Sequence, residues 1–238
     1  MLKPRALTPE WLDALAADDP RARRARGDLR RINRLMGASP LLARSLDALL
    51  ARTPGAPLIE LGAGDGSQAL RLAQRLSARW PKLTLGLLDL HPMVGDTERR
   101  GFDALGWDVQ VIQADALEWL ARAPPTAETT ARPIVFANLF VHHFEGARLH
   151  ALLAGIADRA QAFVCLEPRR SATALLGSRL LGAIGCNDVT RHDAVVSVRA
   201  GFVGQELSLC WPGASGWLLR ETAAGLFGHR FVVVRQPP

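Results

Sequence analysis

The chain has 238 residues, 48% of them apolar, and a formal charge of +6 that is almost wholly arginine, Lys3 and Lys82 being the only lysines. That length suits one α/β domain with additions better than two full domains. No apolar run reaches the roughly 18 to 20 residues of a membrane helix, and three scattered cysteines, Cys165, Cys186 and Cys210, exclude a disulfide framework or a zinc site.

The most apolar stretch, Ser171 to Cys186, carries Arg179 in its middle, and Met1 to Arg5 has no secretory apolar core. A cytoplasmic protein with no metal site is the expectation. Along the chain, Thr8-Pro9-Glu10 reads as a cap plus proline and predicts a helix from Trp11 to Ala17. Ala22 to Leu35 is an amphipathic helix with a basic face, Arg21 to Arg34. Ser39-Pro40 repeats the cap signal before Leu41 to Ala51, and Thr53 to Pro57 breaks that helix.

Strands and helices then alternate. The strands are Leu58 to Leu61, Leu83 to Leu88, Val109 to Ile112, Ile134 to Ala137 and Ala162 to Leu166. Between them Gln68 to Ala78, Val94 to Leu105, Ala116 to Ala121 and Gly146 to Ala160 read as helices, and Pro124 to Arg132 reads as a loop. Short strands separated by helices predict a parallel, doubly wound sheet. Trp217 to Thr222 and His229 to Val234 flank a Gly-Leu-Phe-Gly turn and read as a hairpin. The expected fold is thus α/β and Rossmann-like, a seven-stranded sheet with a C-terminal antiparallel hairpin and an N-terminal helical extension.

The strongest motif is Glu60-Leu61-Gly62-Ala63-Gly64-Asp65-Gly66 at the first strand-to-helix turn. Glycines there let the backbone bend and let a ligand approach without meeting a Cβ. A dinucleotide loop has G-x-G-x-x-G around a pyrophosphate; here the spacing is G-x-G-x-G, with Ser67 where the third glycine would stand. The preceding acid, Glu60, repels a pyrophosphate and suits the amino and sulfonium groups of S-adenosylmethionine. Asp89 ends the second strand, where a carboxylate accepts ribose hydroxyls or caps its own loop. Asp115 follows the third strand, as a ligand-site acid or a helix N-cap.

In these motifs, over residues 57 to 168, the sequence resembles the class I S-adenosylmethionine-dependent methyltransferases. The resemblance implies that Glu60 to Gly66, with Ala63 and Asp65, form the cofactor loop, that Asp89 and Leu90 meet the ribose, and that Asp115-Ala116 flank the adenine. Asp89-Leu-His-Pro-Met93 and Asn138-Leu-Phe-Val-His-His143-Phe are similar to the ubiquinone/menaquinone-type small-molecule methyltransferases. The arginine-rich N-terminal region matches no motif of that family. The implied domain is 53–238, with 1–52 a helical extension or lid and 170–212 an acceptor-side insertion.

Methyl transfer mainly needs alignment of nucleophile, methyl and sulfur, and a phenolic or enolic acceptor also needs its proton removed. His143, with His142 as alternate, follows the fourth strand at the ligand edge and is the first candidate base; either is otherwise a structural histidine. Continued extension would point the two in opposite directions, and Phe140, Val141 and Phe144 would keep the base neutral. Asn138 faces the amino-acid part of the cofactor. Glu167 orients an acceptor or pairs with an arginine, and His192-Asp193, as helix neighbours, are not expected to meet. Leu175, Leu176, Leu180, Leu181 and Ile184 form an apolar wall or core. The expected partner is a small aromatic or apolar acceptor, with peripheral membrane contact left open. Nucleic acid is disfavoured, because no Asn/Asp-Pro-Pro-aromatic motif follows strand four. A catalytically inactive methyltransferase-like subunit is the other alternative.

Overall fold

The computed structural model describes residues 4–122, 131–213 and 215–236; the loop expected at 124–132 lies almost wholly outside them. Helices α1 (Trp11–Ala14), α2 (Pro20–Leu35) and α3 (Ala38–Arg52) lead into β1 (Leu58–Leu61), α4 (Ser67–Leu76), β2 (Thr84–Asp89) and α5 (Asp96–Ala104). Next come β3 (Asp108–Gln113), α6 (Ala116–Ala121), β4 (Ile134–Asn138), α7 (Gly146–Arg159) and β5 (Ala162–Pro168). Helices α8 (Ala172–Arg179), α9 (Asp188–Ala200) and α10 (Glu206–Cys210) precede the hairpin of β6 (Trp217–Ala224) and β7 (Gly228–Arg235).

The seven strands form one sheet in the order β3-β2-β1-β4-β5-β7-β6. Strands β1 to β5 are parallel, and β7 runs antiparallel to both neighbours. Period-two alternation divides the apolar residues between two faces. Leu58, Ile134 and Phe136 face a core shared with α3, α4 and α5, whereas Leu61, Val135 and Ala137 face one shared with α6 and α7. Helix α7 buries Leu149, Leu152, Leu153 and Ile156 on that second face; truncating one such leucine to alanine costs about 2–5 kcal/mol. Connections run outward from β1 in one direction and from β4 in the other. The carboxyl ends of this adjacent pair therefore form the crevice where ligands bind in open α/β sheets.

One expected helix start moves and one expected helix is cut short. Gly37, in the left-handed region at φ 67°, precedes α3, so Ser39 lies in its first turn and its Oγ donates to Gln68 Oε1 instead of capping. Helix α1 is a single turn whose Trp11 and Leu12 amides donate to Asp193 on α9, at 2.8 and 2.9 Å. A cap delivered from 181 and 182 residues away leaves no local signal. Helices α1 and α2 both pack on α9, so the N-terminal helices and the segment between β5 and β6 form one layer at the ligand edge. Among the described residues no helix is long and apolar enough to cross a membrane.

Candidate active site

The glycine loop has the conformation its sequence demands. Gly62, Gly64 and Gly66 have φ of 72°, 55° and 72°, a region costly for residues with a Cβ. Gly62 and Ala63 donate their amides to the Leu88 carbonyl at 2.9 and 3.1 Å, and Met93 donates to Gly64 at 2.9 Å. A Cβ on Gly62 would stand 2.3 Å from the Phe140 ring, whereas one on Gly64 would meet nothing within 4 Å. The loop is closed on the Phe140 side and open at Gly64.

Glu60 is 1% exposed, and its Oε2 has no hydrogen-bond partner. Burial, reinforced by the charges of Asp65 and Asp89, pushes its carboxyl well above the usual range. Asn138 Oδ1 is equally buried and unpartnered. Leu61 pairs with Ala137 across β1 and β4, so Asn138 lies one step beyond, in the next strand to Glu60. Two buried acceptors without donors thus lie at neighbouring strand ends, which native structures avoid unless something else supplies the donors.

Asp89 accepts from Gly64 N through Oδ2 and from His91 N through Oδ1, both at 2.8 Å. It therefore shapes the loop, and each oxygen keeps a lone pair for a further donor. Asp115 caps α6 through Leu117 N and Glu118 N, with Ala116 buried behind it and Leu90 exposed at the rim. Asp65 pairs with Arg30 at 2.7 Å. Burial would raise its pKa, but Ser67 and Arg30 together lower it. The arginine-rich helix is largely spent on internal contacts: Arg21 pairs with Asp188, Arg31 with Asp28, and Arg24 and Arg26 donate to Gly185 and Ala17 carbonyls.

After β4 the chain does not stay extended. Leu139 has φ 54°, the only positive value at a non-glycine among the described residues, and Val141–His143 form a 3-10 turn. The two histidine rings consequently lie on the same side, with centroids 4.3 Å apart, rather than pointing apart. Glu167 at the end of β5 is fully buried. It accepts from the amides of Phe140, Val141 and His142 at 3.0–3.2 Å and from His142 Nδ1 at 2.8 Å. It holds the turn and pairs with His142 rather than with an arginine; Arg170 pairs with Glu206 instead.

His142 Nε2 lies 3.5 Å from Glu10 Oε1, close enough for charge attraction but without a hydrogen bond. Burial lowers the His142 pKa, yet Glu10 and Glu167 outweigh it and push it up to about 9. The expected neutrality therefore fails for His142. His143, its side chain a third exposed, is lowered by burial and by the His142 charge. Glu10 and Asp13, beside and on α1 respectively, complete the cluster; nothing local in the sequence marks them. His192 and Asp193 do meet, at 2.8 Å, because Asp193 is already held over the start of α1 and Trp11 stacks on His192 at 3.9 Å. Of the insertion leucines, Leu176, Leu180 and Ile184 are exposed and Leu175 and Leu181 half-buried, so none of them is core.

No family model matches the sequence, and no curated protein matches it significantly. Solved structures do match the fold. The methyltransferase domain of bacterial CtHen1 aligns with TM-score 0.54 and 13% identity, over 84% of this chain and 99% of that one. RosA, the N,N-8-amino-8-demethyl-D-riboflavin dimethyltransferase of Streptomyces davawensis, aligns with TM-score 0.57 and 16% identity, over 96% of this chain and 62% of that one. TnmH gives TM-score 0.56 and 18% identity, over 95% and 61%; the chain thus spans under two thirds of these last two. The chain has the fold of the class I S-adenosylmethionine-dependent methyltransferases.

Proposed function

We propose that this protein transfers a methyl group from S-adenosylmethionine to an oxygen or carbon of a small aromatic or apolar acceptor. The cofactor half rests on one observation: Glu60 Oε2 and Asn138 Oδ1 are buried acceptors without donors at the ends of the neighbouring strands β1 and β4, Asn138 lying two residues past Phe136, the register partner of Glu60. A ligand bringing an ammonium group would satisfy both, and the open face of Gly64 gives it room. Three nearby acids, Glu60, Asp65 and Asp89, favour a cation over a pyrophosphate. Asp89 and Leu90 would meet the ribose, and Asp115-Ala116 would border the adenine. When bound, the cofactor supplies a carbon made electrophilic by its sulfonium.

The acceptor half rests on the histidine turn. It follows β4 at the same edge, and its Phe140 packs on Gly62. His143 is partly exposed with a lowered pKa, so it is neutral near pH 7 and competent to orient or deprotonate a hydroxyl. Residues 1–52 and 170–212, already packed together through α1, α2 and α9, form the acceptor wall. The likeness to the small RNA methyltransferase HEN1, at TM-score 0.54 and 11% identity, raises a nucleic-acid acceptor, but the internal pairing of the α2 arginines leaves that reading less basic surface. The test is calorimetric titration with S-adenosylhomocysteine, followed by a methyl-transfer screen over phenols, quinones, polyketides and a small RNA. Binding without transfer to any of these would favour an inactive, cofactor-binding subunit.

A further inference from the structure

Glu10, His142 and His143 bring one carboxylate oxygen and two imidazole nitrogens within 4.8 Å of one another, the only such trio among the described residues. Their sequence separation makes this a tertiary construction, and several contacts hold it. Arg5 donates to the carbonyls of His142, Phe144 and Ala200 at 3.2, 3.0 and 2.8 Å, tying the N-terminal strap to the histidine turn and to α9. Ser197 on α9 donates to Glu10 Oε1. Asp193 fixes α1 immediately after Glu10.

The second observation concerns His142. Its side chain is 3% exposed, and Nε2, facing Glu10 and His143, has no hydrogen-bond partner. Its other nitrogen, Nδ1, is bound to Glu167 at 2.8 Å. A carboxylate on Nδ1 keeps a hydrogen there, so Nε2 is the nitrogen that can give up its proton to an ion and turn its lone pair into the cluster, the orientation that metal-ligating histidines receive from their outer partners. Asp13 stands 3.9 Å from His143 Nδ1, near enough for charge attraction but beyond hydrogen-bond reach.

We propose that Glu10, His142 and His143 form a binding site for a divalent first-row transition ion. Two imidazoles and one carboxylate suit zinc, iron(II), cobalt(II) or manganese(II), and oppose calcium and magnesium, which take oxygen donors. Three protein ligands leave positions for an oxygen of another molecule. Where the methyl-transfer reading holds, on which this part rests, the open positions select an acceptor carrying a hydroxyl or neighbouring hydroxyl and carbonyl oxygens. The ion would then lower the pKa of that hydroxyl, and His143 would serve as ligand rather than base.

The test uses the full chain, stripped with a chelator and titrated with cobalt(II). Binding is followed by calorimetry and by the visible absorption of the bound ion. S-adenosylhomocysteine affinity is measured on the same stripped samples. Variants are His143→Ala and Glu10→Gln, at partly exposed positions, with His150→Ala on the surface of α7 as control. The expected result is one saturable cobalt site with visible bands, weakened more than tenfold by Glu10→Gln and by His143→Ala, since even outer partners cost 10- to 100-fold, and unchanged by His150→Ala. Homocysteine-product affinity should stay within threefold in all variants, roughly the threshold of a surface change. Absent cobalt binding, or binding that survives both ligand variants, overturns the site. Cobalt binding without S-adenosylhomocysteine binding leaves the metal site standing and removes its part in methyl transfer.

Discussion

Replacing Glu60 by glutamine removes a buried acid while keeping its shape, and it isolates the charge assigned to that position. In the free protein the Glu60 carboxyl sits well above its ordinary value because of burial and the neighbouring Asp65 and Asp89, and one oxygen has no donor. A bound ammonium would favour the ionised form, so binding should expel a proton. The linkage slope for one proton is tenfold in affinity per pH unit, about 1.4 kcal/mol. S-adenosylhomocysteine should therefore bind more tightly as pH rises between the bound-state and free-state pKa values, and then level off. The same raised pKa sets the sign for stability: the Glu60 contribution is fully present below the unfolded value and is lost as pH rises through the folded one. Calorimetry in two buffers of different protonation enthalpy, from about pH 5 to 8, reads the proton directly. Glu60→Gln should abolish proton release and weaken binding about 10- to 100-fold, the worth of a charged hydrogen bond. Unchanged proton release in the variant would refute the reasoning, since the proton would then come from elsewhere.

Other outcomes follow from single contacts. Gly62→Ala combines a left-handed φ with a Cβ 2.3 Å from Phe140, about 1–2 kcal/mol for conformation plus about 1–3 for overpacking; Gly64→Ala meets open space and should lose only the first, as denaturant midpoints will show. Glu167→Ala strands two buried amides and a half-buried one and should cost at least about 3 kcal/mol, whereas His143→Ala stays within about 0.5 kcal/mol. Arg30→Ala breaks a half-exposed pair with Asp65, so stability should fall by less than about 1 kcal/mol. Any change it makes in S-adenosylhomocysteine affinity should fade at high salt.

What the sequence reveals here is what local physics encodes. Strand-helix alternation and the turn near Gly225 specify the sheet and its hairpin, and glycines spaced by two at 62, 64 and 66 specify a left-handed loop that the structure reproduces. Glu60 and Asn138 were readable because strand ends at a switch point converge whatever the side chains. The histidine turn was not: strand alternation fails once Leu139 enters the left-handed region, and the residue that holds the new path, Glu167, arrives 28 residues later. Caps supplied over long range defeat local signals in the same way, as Asp193 does for α1. Glu10 joins the histidines only through the docking of α1 on α9, so no spacing rule finds it. Asp89 and Asp115 illustrate the converse, where the local reading and the ligand reading place the same carboxylate in the same spot and the structure shows the local one satisfied.

The central claim is that the loop from Glu60 to Gly66 takes an S-adenosyl ligand rather than a dinucleotide. Parallel calorimetric titrations with S-adenosylhomocysteine and NAD test it most directly, on wild type, Gly64→Val and Asp89→Ala. The account predicts one S-adenosylhomocysteine per chain, strong loss of affinity in both variants and no heat with NAD. Binding of NAD without S-adenosylhomocysteine, or S-adenosylhomocysteine affinity untouched by both substitutions, would contradict it.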